Sequence, residues 1–171
     1  RVQTDSTDQP FDINEGSKLE LGSTAKLRVM TTYLQIMAEL HDRYGAQSSA
    51  NLKKVQINDQ DRLSRWALDY LIRDPGASLA NMLDAALNRQ YSASPGESFF
   101  TGGGMHHFHN FRNQDNGRNP TLREAIRESI NLPFVRLMRD VVRYTTYQAP
   151  SNSAELLKDD LNPRRQEYLS R

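Results

Sequence analysis

Three features of the sequence predict a mainly α fold with little or no sheet. Apolar residues recur three and four apart in five successive segments. Helix start and stop signals fall between those segments, among them the capping box Thr121-x-x-Glu124 after Asn119-Pro120. One stretch, 91–119, is rich in Ser, Gly, Asn and aromatic residues and reads instead as a long ordered loop of the kind that often serves a site.

In chain order, residues 1–17 are polar with Pro10 and Gly16 as breakers, and 1–22 reads as an extended leader. From Ser23 the pattern turns helical: Leu27, Met30, Tyr33, Leu34, Met37, Leu40 and Tyr44 form one apolar stripe. Arg28, Thr32, Gln35, Glu39 and Asp42 fall on the other side, and Gly45 is the stop. Leu63, Trp66, Ala67, Tyr70 and Leu71 line a helix near 60–73, ended by Pro75-Gly76. Leu79, Met82, Leu83, Ala86 and Leu87 line another over 77–90. After the loop, 121–129 is helical. Phe134, Leu137, Met138, Val141 and Val142 then give a further helical face, with Pro133 acceptable in its first turn. The helical part is thus 23–149, followed by a polar segment, 150–171, with weak helical signals near 153–160 and 163–170.

A length of 171 residues fits one domain or a large part of one, and 37% hydrophobic with 25% charged residues allows a lean core. The formal charge of +1 gives no long-range attraction for a polyanion, so no nucleic-acid partner is expected. The absence of cysteine removes disulfides, thiolate metal sites and a thiol nucleophile. No apolar run approaches the roughly 20 residues needed to cross a bilayer. A start at Arg1 with no signal-like opening reads as an excised segment.

Ser23 and Lys26 form the one Ser-x-x-Lys of the chain. Three apart on a helix, they project from the same side. At about 100° per residue, both fall in the sector of Leu27, Met30, Leu34 and Met37. A lysine facing the core at a helix N-terminus is disfavoured as ammonium both by burial and by the helix dipole, so it can take a proton from a serine hydroxyl. The alternative is structural: Ser23 N-caps the helix and Lys26 snorkels past the apolar edge. Ser129 lies at the end of the 121–129 helix and is followed by Ile130-Asn131-Leu132-Pro133. A serine and an asparagine two apart at a helix junction can point into one cleft, the hydroxyl relaying a proton and the amide holding a substrate carbonyl and N–H. Asn131 capping the next helix is the plain alternative, and a second Ser-x-Asn, Ser49-Ala50-Asn51, shows how cheap the tripeptide is.

The stretch Leu21-Gly22-Ser23-Thr24-Ala25-Lys26-Leu27, opening a long amphipathic helix, resembles the first transpeptidase motif of class A (bifunctional) penicillin-binding proteins. Residues 121–139, TLREAIRESINLPFVRLMR, are similar to that family's segment around its second motif. Tyr91-Ser92, Phe100 and Gly102 resemble the approach to it, and Pro10-Phe11-Asp12 is similar to the segment feeding the nucleophile helix. The resemblance spans 18–145. It implies the helical subdomain of the penicillin-binding transpeptidase (β-lactamase-like) fold, with the central sheet largely missing. It further implies Ser23 as acylated nucleophile, Lys26 as the base that activates it, Ser129 as proton relay to the leaving group and Asn131 as substrate-orienting side chain. No cofactor and no metal are implied. The substrate would be a D-Ala-D-Ala peptidoglycan stem peptide, with β-lactams acylating the same serine. The parent would work at the periplasmic or extracytoplasmic face of a bacterial inner membrane, anchored outside this segment and carrying a separate glycosyltransferase domain.

The sequence departs from that family in three ways. No Lys-Thr-Gly or Lys-Ser-Gly third motif occurs in the 171 residues. Losing one oxyanion donor costs roughly 2.7–4 kcal/mol, so this segment alone is expected to be a very poor enzyme. Ser23 and Ser129 are 106 positions apart, longer than the family pattern, the extra length falling in 44–90. Leu21 replaces the usual Pro, and Ala25 stands where an aromatic is usual. The rival reading is a helical interaction module, or an inactive transpeptidase-like domain.

His106, His107 and His109 with Met105 raise a metal site, but ligand-pair spacing is lacking and they read as surface or packing residues. Gly102-Gly103-Gly104 lacks P-loop spacing and reads as loop flexibility. Arg112, Arg118, Arg123 and Arg127 read as a solvated face. Phe99, Phe100, Phe108 and Phe111 read as pins holding the loop to the helices, or as the lining of a substrate groove.

Overall fold

The computed structural model describes residues 23–101 and 104–148. The leader, Pro10-Phe11-Asp12, Gly102, Gly103 and the helical signals beyond 149 lie outside the described residues. The elements are α1 Thr24–Tyr44, α2 Ser49–Leu52, α3 Arg62–Arg73, α4 Leu79–Leu87, β1 Ser98–Thr101, β2 Gly104–His107, α5 Leu122–Arg127 and α6 Leu132–Gln148, with one 3-10 turn at Asn113–Asp115. The mainly α class is what the structure shows.

α1 is the central helix. It packs against α3, α4 and α6, and α3 packs against α6 in turn. Met30, Tyr33, Ile36, Met37 and Leu40 of α1 meet Leu63, Ala67 and Leu71 of α3, Met82 and Ala86 of α4, and Leu137 and Val141 of α6 in one core. Burying each such side chain contributes about 1.5–3 kcal/mol, which is why tertiary packing rather than propensity holds these helices. Local chemistry sets their starts. The side chains of Ser48, Asp61 and Ser78 accept from the backbone N–H three residues on, and Thr121 with Glu124 closes the capping box expected from the sequence.

The stripe of α1 is rotated from its sequence reading. Leu27 is 59% exposed and lies outside the core, whereas Ile36 lies inside it. The buried positions run Lys26, Met30, Tyr33, Ile36, Met37, Leu40, so the lysine heads the apolar seam instead of flanking Leu27. The helices read as 60–73 and 77–90 are trimmed by their caps to 62–73 and 79–87, and Ser49-Ala50-Asn51 is absorbed into the short α2.

The loop reading of 91–119 is corrected in part. β1 and β2 form a two-stranded antiparallel hairpin, pairing Phe99 with His106 and Phe100 with Met105. Phe99, Phe100 and Thr101 suit a strand, and Gly104 takes φ 108°, which a side chain would resist. The four phenylalanines also divide. Phe99 is buried under the guanidinium groups of Arg136 and Arg139 and makes an edge contact with Phe108, while Phe100 and Phe111 are exposed and pin nothing. The arginines read as a solvated face are exposed or half-exposed, and Arg112 and Arg118 also pair with the buried Asp115 and with Glu128. Arg123 pairs with Asp84 and Arg127 with Glu128.

Candidate active site

The site forms where the start of α1 meets the exit of α5. Two strands of polar backbone bring the second segment into place. Gln90 and Thr121 form an isolated antiparallel bridge, Tyr91 N–H donates to Pro120 O (3.1 Å), Ala93 N–H to Arg118 O (2.9 Å), and Leu122 N–H to Arg89 O (3.0 Å). This zipper ties the entry of α5 to the exit of α4, which itself packs on α1.

α5 ends in a Schellman motif. Ile130 N–H bonds Ala125 O (2.9 Å), and Ser129 N–H bonds Ile126 O (3.3 Å), leaving Ser129 at φ 58°. Glycine is the usual occupant of this left-handed position, because a side chain there costs about 1–2 kcal/mol. Ile130 and Ala125 are both fully buried and supply the apolar contact that accompanies such a turn. The residue before the turn is held as well. Glu128 accepts from Arg118, whose hydrogen bonds keep the carboxyl below its ordinary range, and Arg118 also reaches Asp115.

The left-handed turn aims both the carbonyl and the hydroxyl of Ser129 at the seam of α1. Lys26 Nζ donates to Ser129 O (2.6 Å) and lies 2.9 Å from Ser129 Oγ. Ser129 Oγ in turn lies 2.7 Å from Ser23 Oγ. The three side chains named from sequence therefore form one chain of contacts, ordered Ser23, Ser129, Lys26. That order differs from the sequence expectation of Lys26 acting on Ser23 directly, because among the described residues the hydrogen bonds of Lys26 go to Ser129.

Both structural alternatives for α1 are set aside by geometry. Ser23 occupies the N-cap position, but its backbone is already helical (φ −68°, ψ −18°) and its side chain caps no backbone N–H. Its hydroxyl is spent on Ser129 instead. Lys26 does not snorkel: it is 8% exposed, and its amine turns along the seam to Ser129. Burial drives its pKa below the ordinary lysine value of 10.5, and no carboxylate pairs with it among the described residues.

Asn131 is half-buried beside this chain. Its Nδ2 donates to His109 O (3.1 Å), which fixes the carboxamide plane. The histidines that raised a metal site do not form one: among the described residues no group of His, Cys, Asp and Glu could hold a metal ion. His107 contacts Ser98 across the hairpin instead.

Sequence reasoning missed two contributors. The ion cluster around Glu128 and the buried Asn110, which bonds the amide of Leu132, both act across many residues of chain and carry no local motif. One signal was present for the turn: Pro133 in the first turn of α6 requires a break just before it, and Ser129 is where that break begins. No protein-family model, no curated protein and no solved structure matches the chain.

Proposed function

We propose that the chain carries the acyl-transfer centre of a serine D,D-transpeptidase of the class A penicillin-binding type. The fold would be the helical subdomain of the β-lactamase-like transpeptidase fold. The contact chain Ser23–Ser129–Lys26 is the observation that supports this reading, because it supplies a nucleophile, a relay and a base at hydrogen-bond distance.

In the proposed step, a neutral Lys26 amine accepts the Ser129 hydroxyl proton across the 2.9 Å contact. Ser129 Oγ simultaneously takes the Ser23 proton across 2.7 Å, and Ser23 Oγ forms the ester bond to the carbonyl carbon of the penultimate D-Ala. The tetrahedral intermediate collapses by breaking the bond to the terminal D-Ala nitrogen. The proton returns from the Lys26 ammonium through Ser129 to that leaving amine. Asn131, held by His109 O, presents its Oδ1 to a substrate N–H. The acyl-enzyme then passes to the amine of a second stem peptide. A β-lactam would stop at the first ester. The extracytoplasmic location and a membrane anchor elsewhere in a parent protein belong to the same proposal.

The test is labelling of the protein, at its full natural length, with a fluorescent penicillin followed by mass mapping. A single adduct on Ser23 that disappears in Ser23→Ala is the expected result. Wild-type protein that stays unlabelled at millimolar probe would sink the reading and leave an inactive domain or a helical interaction module.

A further inference from the structure

We propose that Asn110 is the positioning residue that holds the Ser129 turn in its productive orientation; this rests on the acyl-transfer reading above. Asn110 is 8% exposed, and its carboxamide is used on both sides. Oδ1 accepts the Leu132 N–H (3.0 Å), a first-turn amide of α6 that has no partner within its own helix. Nδ2 donates both its hydrogens, to Ala93 O (2.7 Å) and Asn116 Oδ1 (3.0 Å). One residue earlier, His109 O takes the Nδ2 hydrogen of Asn131. Neighbours 109 and 110 thus grip neighbours 131 and 132, a two-point clamp directly after the left-handed turn.

The clamp matters because the turn is under tension. Ser129 sits at φ 58°, a conformation that surrounding contacts must enforce for a residue with a side chain. Upstream, the zipper between 89–93 and 118–122 and the Arg118–Glu128 pair fix its entry. Downstream, the Asn110 amide fixes its exit and also anchors it, through Ala93 O, to that same zipper. With both ends held, the Ser129 side chain starts from a fixed point, within reach of Ser23 and Lys26. A carboxamide suits both sides: an aspartate in its place keeps the acceptor for Leu132 but sets its second oxygen against the oxygens of Ala93 and Asn116.

The test compares Asn110→Ala, Asn110→Asp and Asn116→Ala in the full chain, with penicillin acylation of Ser23 normalised to folded protein. Both Asn110 variants are expected to lose at least tenfold in the limiting acylation rate, with probe affinity within twofold of wild type. Asn116→Ala removes one bond of the same amide but leaves the Leu132 contact, and its rate is expected to stay within twofold. An unchanged rate in Asn110→Ala, or an equal loss in Asn116→Ala, overturns the proposal. Position is also read without chemistry, by the nuclear Overhauser contact between the Ser23 and Ser129 β-protons. It is expected in wild type and lost in Asn110→Ala. If it persists there, the positioning role is wrong; if it is lost while wild-type Ser23 never acylates, the enzymatic reading alone fails. Should the variants not fold, exchange of the wild-type Leu132 amide as fast as a free amide overturns the clamp, and protection supports it.

Discussion

Arg136 and Lys26 are buried to nearly the same depth, 7% and 8% exposed, and the fold treats them in opposite ways. Arg136 has an acceptor at each of its three nitrogens. Its guanidinium donates to Ser92 O (2.7 Å), Ser94 O (2.8 Å) and the carboxylate of Glu97 (3.1 Å), and it rests over the Phe99 ring. Among the described residues, Lys26 bonds only the carbonyl and the hydroxyl of Ser129, which carry no negative charge. Depth of burial alone does not decide what a cationic side chain is for. A counter-ion and a full set of acceptors stabilise a permanent charge, whereas their absence favours an amine that can give up and take a proton.

The largest expected effect that separates the two is on rate. Lys26→Met should slow acylation of Ser23 by roughly 10²–10⁴-fold, the range for loss of a general base. It should leave stability within about 1 kcal/mol of wild type or raise it, since an apolar side chain of similar reach fills the seam without a buried amine. Arg136→Met is expected to do the reverse. It should cost about 2–3 kcal/mol in urea unfolding, below the roughly 3–5 kcal/mol for a fully orphaned buried partner because Glu97 keeps Arg139. Two variants with matching stability losses would erase the distinction.

How much of this was legible in the sequence follows from the range of each interaction. The capping box at Thr121 and the inward lysine depend on residues within one or two turns, and they could be read directly. Leu27 could not be placed, because a stripe drawn with seven apolar positions is wider than the seam that α3, α4 and α6 cover. The hairpin escaped because its strands are four residues each and carry adjacent rather than alternating histidines and phenylalanines. Pro133 marks a break near Ser129, but its left-handed backbone was not legible: the residue that announces such a turn is glycine, and here the flanking Glu128 and Leu132 are bonded by the distant Arg118 and Asn110.

The contrast also has a pH signature. With its pKa lowered in the folded state, Lys26 binds fewer protons folded than unfolded between the folded value and 10.5. Stability should therefore rise with pH across that window and level off above it, and below the folded value the burial penalty is present in full. The difference in unfolding free energy between wild type and Lys26→Met should show this rise. Acylation should climb over a limb whose midpoint lies below 10.5. A difference that is flat with pH would mean that the amine keeps its proton.

The smallest expected effect is at the turn. Ser129→Gly relieves the left-handed backbone and should leave stability within about 1 kcal/mol of wild type, or above it. Ser129→Val, branched at Cβ, should lose about 1–2 kcal/mol. Both should lose acylation, which separates the cost of the conformation from the use of the hydroxyl. A Ser129→Gly protein that acylates at the wild-type rate would remove the relay from the mechanism.

The most direct measurement is the titration of Lys26 itself, followed by the ¹³Cε shift of the selectively labelled side chain with Lys26→Met as the assignment control. A midpoint below 10.5, moving when Ser129 is replaced by alanine, is the expected result. A midpoint at or above 10.5, unmoved by that replacement, would show a solvated or ion-paired ammonium and contradict the role given to this lysine.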